Sequence, residues 1–314
     1  MNGPPPKILL SGASGIVGSA LRQALAERRS SVLQLVRRPT GAPLQIQWDP
    51  NAARPVANAE PLEDLTAAIH LSGANLAAHR WTPAYKRELV DSRVGSTRAL
   101  VRTLATLRNP PQAVLVASAT GIYGNRADQL LDESSASGSG FIADLCQQWE
   151  AAAQDNAAVG TRIVHLRFAV ALGPGPGALA RMLPIFRLGL GGPLGPGTQW
   201  MSWISLHDVV SAILFLFETP SLTGPVNLTA PNPVTNSQFA GALARVLHRP
   251  AFLAAPAFAL RLALGEIADE VLLASARVYP GKLIAAGFSF THPRIDQALA
   301  AALGLPQPVM PALF

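Results

Sequence analysis

The stretch Lys7-Ile8-Leu9-Leu10-Ser11-Gly12-Ala13-Ser14-Gly15-Ile16-Val17-Gly18 decides the reading of this chain. Lys7 to Leu10 is a short apolar run stopped by Ser11-Gly12, the pattern of a buried parallel strand. From Ile16 to Ala26 the apolar positions Val17, Leu21, Ala24 and Leu25 recur at helical spacing. A glycine-rich turn thus sits between a strand and a helix. Glycine permits the tight turn and a close backbone approach to a diphosphate, and the helix N-terminus presents free N–H groups and a positive dipole end to the anion. A lone glycine-rich string is weak evidence, but this one has the strand before it and the helix after it that the chemistry needs. An ordinary strand–helix turn is the other reading.

Working outward, Ser31 to Val36 reads as a second strand, ending in Leu35-Val36-Arg37-Arg38. A dinucleotide fold specific for NAD places an acid near this point to bind the ribose 2′-hydroxyl. Here the chain offers two guanidinium groups, which pair with a 2′-phosphate in forked geometry, where an acid would repel it. The cofactor expected is NADP(H), with Arg37 as the main phosphate contact and Arg38 beside it. The plain alternative is a pair of solvated arginines at a strand end.

Further strands are expected at Ile69–Ser72, Ala113–Ala117 and Arg162–Phe168, with helices at about Pro83–Leu107 and Phe141–Ala153. Gly173 to Gly197 breaks the alternation with a Gly/Pro-dense stretch, and one more strand and helix follow at Pro225–Thr229 and Ser237–Leu247. Alternating strands and helices predict an α/β fold: a Rossmann-type, doubly wound parallel sheet with a smaller C-terminal α+β substrate lobe. The divisions expected are 1–170 for the NADP(H)-binding core and 171–314 mainly for the substrate lobe, with 225–247 returning to the core.

Composition narrows the class. The chain has 314 residues, 49% hydrophobic and 14% charged, so it can bury a large core. No apolar stretch approaches the roughly 18 residues of a spanning helix, so no membrane association is expected. The opening MNGPPPKILL lacks the charged and apolar regions of a leader. The single cysteine, Cys146, excludes an internal disulfide and a multi-cysteine metal site, no metal is expected, and a cytoplasmic setting is the default. The net charge of +6 rests on 25 scattered Lys and Arg, with adjacent arginine pairs only at Arg28-Arg29 and Arg37-Arg38, so nucleic acid is not expected as a partner.

Motifs spread over nearly the whole chain carry a resemblance. They include Trp48-Asp49-Pro50, His70-Leu71-Ser72-Gly73-Ala74-Asn75, Arg80-Trp81-Thr82, Asp91-Ser92-Arg93 and Ser118-Ala119-Thr120-Gly121-Ile122-Tyr123-Gly124. Later come Trp149-Glu150-Ala151-Ala152-Ala153, Phe186 to Gly195, Pro225-Val226-Asn227-Leu228-Thr229-Ala230-Pro231 and Ala286-Gly287-Phe288. The chain resembles an atypical group of extended short-chain dehydrogenase/reductases, the "epimerase family" proteins with a C-terminal domain of unknown function. The resemblance implies that Gly12, Ser14, Gly15 and Ile16 hold the diphosphate, that Leu71 and Ser72 line the cofactor and that Glu88 and Arg93 approach its adenosine or ribose groups, a surface helical pair being the alternative. It places backbone near Val170 and Ala171 against the nicotinamide, and it implies a homodimer through the helices at 83–107 and 141–153.

The departures bear on activity. Extended members of the group use a Tyr-x-x-x-Lys pair, in which lysine lowers the tyrosine pKa for acid–base work. Here those positions hold Ile142 and Cys146, the helping Ser or Thr is Ala119, and the Asn of Arg-x-x-Asn is Val170. The arginine that grips a sugar-nucleotide phosphate falls at Met201. Tyr123 is the one phenol left as a weak acid candidate, against a packed core tyrosine. Cys146 reads as a buried small side chain before a nucleophile. His207-Asp208 reads as a helix cap, and Trp81, Trp200 and Trp203 either wall a pocket or pack. Two functions stay open. One is an NADP(H)-dependent oxidoreductase or epimerase acting on a small, largely uncharged molecule; the other is an NADPH-sensing binding module without turnover.

Overall fold

A computed structural model describes residues 5–306; Met1 to Pro4, where the leader expectation begins, lie outside the described residues. The first part of the chain runs β1 (Lys7–Ser11), α1 (Ile16–Glu27), β2 (Ser31–Val36), β3 (Gln45–Gln47), β4 (Ala67–His70), α2 (Pro83–Val90), α3 (Ser96–Ala105) and β5 (Ala113–Ala119). It continues with β6 (Leu130–Leu131), α4 (Phe141–Gln154), β7 (Arg162–Phe168), β8 (Val170–Leu172) and α5 (Ala178–Arg187). The remainder is β9 (Trp200–Met201), β10 (Trp203–Ser205), α6 (Leu206–Glu218), β11 (Gly224–Leu228), β12 (Val234–Thr235), α7 (Asn236–Leu247), α8 (Ala257–Leu264), β13 (Arg277–Val278), α9 (Gly281–Ala285) and α10 (Ile295–Ala302).

Seven strands form one sheet in the order β11-β7-β5-β4-β1-β2-β3, the doubly wound, Rossmann-like arrangement. β1 pairs in parallel with β2 on one side and β4 on the other, so strand order reverses across β1 and β4. Ligands bind open α/β sheets at the carboxyl ends of strands flanking such a reversal. The apolar sequence of β1 explains its central place: Ile8, Leu9 and Leu10 are fully buried, as continuous apolar runs must be when helices cover both faces.

Contacts divide the chain into two units. One holds the described residues through Ile122, Asp144–Arg167 and Ile213–Val226; the other holds Tyr123–Ala143, Phe168–Ala212 and the described residues from Asn227 on. Each unit is therefore assembled from several chain segments. Of the segment 225–247, β11 joins the large sheet, whereas α7 packs in the second unit, whose core gathers Leu172, Leu179, Phe186, Trp203, Phe239 and Leu299. No helix among the described residues is long and apolar enough to cross a membrane.

The helix expected at Pro83–Leu107 is interrupted. After α2, Asp91–Gly95 forms a π-turn in which the Ser96 N–H reaches back to the Asp91 carbonyl. Insertions of this kind widen a helix by one residue and re-aim the side chains beside them. Beneath the turn lies a buried chain of hydrogen bonds. The Leu71 N–H donates to Ser11 Oγ at 3.2 Å, Ser11 Oγ lies 2.6 Å from His70 Nδ1, and His70 Nε2 lies 3.1 Å from Ser96 Oγ. Ser96 Oγ donates onward to the Ser92 carbonyl at 2.7 Å. Satisfying every partner requires the Nε2–H tautomer, with Ser11 donating to Nδ1.

Burial pushes the His70 imidazole down to about pH 4. The unfolded chain takes up a proton near pH 6.5 while the folded one does not until about 4. Stability from this group is therefore complete above about 6.5 and drains as pH falls towards 4. The loss over that window is expected to be about 3 kcal/mol. Urea unfolding followed at stepped pH should show this slope in the native chain, and a clearly shallower one in His70→Gln.

Candidate functional site

The glycine turn between β1 and α1 is built on backbone contact. Gly12 has a φ of +71°, and a Cβ there would lie 2.8 Å from the carbonyl carbon and oxygen of Leu71. A Cβ on Gly18 would lie 2.1 Å from the Gly12 carbonyl oxygen, so the first turn of α1 presses directly on the loop. Only glycine fits at both places. The Gly15 N–H donates to the Gly12 carbonyl at 3.0 Å and closes the turn. Gly15 caps α1 with no side-chain bond, and the helix has no acid in its first turn. Ser14 and Gly15 are exposed and Ile16 is half-buried. The cradle therefore presents backbone amides and no competing negative charge, which suits a diphosphate.

Leu71 and Ser72 follow directly on β4, both half-buried. The strand ends at His70, two residues earlier than expected, because the Leu71 amide turns to the Ser11 side chain and carbonyl. Arg37 and Arg38 stand just beyond β2, exposed, and neither guanidinium makes a hydrogen bond or ion pair among the described residues. A pair of uncommitted forks at this strand end fits a phosphorylated ribose. These groups share the carboxyl end of the sheet, around β1, β2 and β4.

Glu88 and Arg93 are not a surface pair. Glu88 is exposed on α2, while Arg93 lies in the π-turn with only 8% of its surface accessible. The Arg93 guanidinium donates to the carbonyls of Ala74 at 2.9 Å and Leu89 at 3.3 Å and lies 5.2 Å from the centre of the Trp149 ring. Burial lowers its pKa, with Cys146 and Tyr85 acting the other way. Arg93 braces the loop after β4, since its guanidinium carbon comes within 3.3 Å of where a Gly73 Cβ would stand.

The positions of the missing acid–base pair are filled by packing. Ile142 and Cys146 are buried, and burial together with Glu150 pushes the Cys146 thiol up to about 12, outweighing Ala119, Arg93 and Ser118. Arg93 is a cationic neighbour that the sequence around Cys146 did not reveal, yet it leaves the thiol protonated and unreactive. Nearby, Arg167 grips Glu150 with Nε and Nη2 donating to separate oxygens at 2.8 and 2.9 Å, and Ser118 Oγ donates to the same carboxylate at 2.7 Å. Arg167 and Ser118 hold the Glu150 pKa down against the effect of burial. Glu150 stands in the sequence only as part of the motif Trp149 to Ala153, and nothing local to it marks this ion pair.

Tyr123 and Ala171 belong to the second unit. Tyr123 is fully buried and its hydroxyl donates to Asn227 Oδ1 at 2.8 Å. Asn227 also donates from Nδ2 to the Tyr279 carbonyl at 3.0 Å. Ala171 lies in β8, which pairs in parallel with β10 through Ala171 and Ile204. Trp203 is a core residue, Trp81 is half-buried with its indole donating to the Leu76 carbonyl, and Trp200 is half-buried. The cap of α6 is Ser205 and not His207-Asp208: Ser205 Oγ accepts from the Asp208 N–H at 3.0 Å, and the Asp208 carboxylate accepts from the amides of Thr291 at 2.8 Å and His292 at 3.0 Å.

Residues 8–228 match the NAD dependent epimerase/dehydratase family, and residues 255–302 match a domain of unknown function, DUF1731. The chain belongs to the epimerase family. It is 43% identical over 300 residues to an epimerase family protein of Mycobacterium bovis, covering 95% of this chain and 98% of that one. The crystal structure of human epimerase family protein SDR39U1 (isoform 2) with NADPH superposes with a TM-score of 0.87 at 32% identity, over 95% of this chain and 99% of the other. MoeE5 in complex with UDP-glucose and NAD shares the fold, with a TM-score of 0.74 at 21% identity over 95% and 97% of the two chains.

Replacing Arg167 by Met should strand the largely buried Glu150 carboxylate and cost roughly 3–5 kcal/mol. The double change Arg167→Met with Glu150→Met should restore most of that loss. Denaturant midpoints of the three proteins measure both effects.

Proposed function

We propose that this protein binds NADP(H) and works as an atypical extended short-chain oxidoreductase or epimerase on a small molecule. The observation that carries the reading is the exposed pair Arg37-Arg38, without a carboxylate partner, at the end of β2 beside a glycine cradle that only backbone can fill. The NADPH in the human relative supports the same assignment. In this reading Gly12, Ser14, Gly15 and Ile16 hold the diphosphate, and Arg37 with Arg38 holds the 2′-phosphate. Leu71 and Ser72 line the cofactor, Glu88 serves its adenosine half while Arg93 braces the loop after β4, and backbone at Ala171 meets the nicotinamide.

The bound cofactor supplies two-electron redox chemistry, and the chain supplies binding, orientation and exclusion of water. Proton handling falls to water or to the substrate itself, because the Tyr123 hydroxyl is buried and committed to Asn227, and the Cys146 thiol stays protonated. The apolar Met201 removes the basis for gripping a nucleotide diphosphate, which argues against a sugar nucleotide as substrate.

A specific observation favours a second reading, an NADPH sensor: both positions of the acid–base pair are packed core side chains. Incubating the protein with NADPH and a metabolite library while following nicotinamide absorbance separates the two. Tight NADPH binding with no turnover anywhere in the library selects the sensor.

The cofactor assignment has its own test. NADPH should bind more tightly than NADH, and Arg37→Ala with Arg38→Ala should weaken NADPH by about 10- to 100-fold while leaving NADH nearly unchanged. Equal affinities in the native chain would overturn the assignment.

A further inference from the structure

Arg277 lies within the C-terminal domain of unknown function. Its guanidinium carbon stands 4.3 Å from the centre of the Trp200 ring, close enough for the plane of the fork to lie on the indole. The backbone around it is fixed from both sides. Ser202 Oγ donates to the Ala276 carbonyl at 2.8 Å and accepts from the Val278 N–H at 2.9 Å. The Ala276 N–H donates to the Trp200 carbonyl at 3.2 Å, and Arg277 itself pairs with Leu130 between β13 and β6.

The guanidinium is nevertheless unused. It makes no hydrogen bond and no ion pair among the described residues, and its Nε is sealed from solvent without an acceptor. An arginine serving only to pack would have no reason to carry a buried donor with nothing to donate to. A fork stacked on an aromatic ring, half-buried and uncommitted, is preorganised for an oxyanion. Met201, next to Trp200, is the position where the resemblance loses its phosphate-gripping arginine, and Arg277 of β13 stacks on the residue beside it.

We infer that Arg277, braced on Trp200, is an anion-binding residue of the second unit, and that the substrate carries one carboxylate or phosphate group. This replaces the expectation of an uncharged substrate and rests on the reading of the second unit as the substrate-binding part.

The test uses the full-length, nitrogen-15-labelled protein. The Nε–H resonance of Arg277, assigned by its disappearance in Arg277→Met, is followed while succinate, inorganic phosphate or uncharged glycerol is added at constant ionic strength. A saturable shift with succinate or phosphate, and none with glycerol, is expected; whichever anion binds better names the carboxylate or the phosphate class. Affinity for that anion, measured by calorimetry, should fall at least about tenfold in Arg277→Met and less in Arg277→Lys, which keeps the charge but not the fork. NADPH affinity, read from nicotinamide fluorescence, should be the same in all three proteins and shows that the variants are folded. Should Arg277→Met fail that control, Arg277→Lys alone decides. An unmoved resonance, or equal anion affinity with and without the guanidinium, overturns the inference. Failure of the native chain to bind NADPH overturns the cofactor reading instead and leaves the anion result to stand by itself.

Discussion

The site in the first unit depends on one contact between two pieces of backbone. Gly12 can approach Leu71 as closely as it does because it has no side chain, and Gly18 approaches Gly12 for the same reason. That double approach brings the end of β1, the end of β4 and the start of α1 to one place. The amides of the turn are then free to face outward, since the turn is closed by its own Gly15–Gly12 bond and needs no side-chain cap. A methyl group anywhere in this stack would push the helix off the sheet, and the anion-binding end of α1 would go with it.

The same place is supported from below by polar groups. Ser11, His70 and Ser96 are all buried, and each is satisfied only because the others stand where they do. The chain they form runs from the Leu71 amide to the Ser92 carbonyl, and so ties the rim of the cradle to the π-turn that carries Arg93. Half-satisfied networks of this kind are costly, whereas complete ones fix a single arrangement. The buried cations nearby obey the same rule by different means. Arg167 is neutralised by a forked carboxylate, and Arg93 by two carbonyls and an aromatic face.

The first unit was largely legible in the sequence. The apolar runs of β1, β2 and β7, the glycine turn and the two arginines after β2 are local signals, set by the residues that show them. What escaped were features set by partners far along the chain. Nothing between Pro83 and Leu107 marks a π-turn, because the Ser92 and Ser96 side chains that support it find their partners at Ala74 and His70. The depth of Arg93 depends on Trp149, and the cationic neighbour of Cys146 comes from another helix altogether. Asp208 looks like a cap from its position, yet two of its acceptor bonds go to residues more than eighty positions away. The interleaving of segments between the units follows from such long-range contacts and leaves no local mark.

The second unit shows why the lost acid–base residues do not by themselves define the activity. Several of its polar groups are spent on each other: Tyr123 on Asn227, Asn227 on Glu133 and the Tyr279 carbonyl, and the Glu133 carboxylate on the amide of Lys282 as well. A phenol held this way cannot swing to a substrate without stranding the Asn227 oxygen, so its geometry serves specificity of packing. Any chemistry in this unit must therefore draw on groups left over after packing is satisfied. One such group is the Arg277 guanidinium on the Trp200 indole, which can orient a ligand by charge and hydrogen bonds. A reaction compatible with that inventory is one in which the cofactor carries the electrons and the ligand or solvent carries the proton.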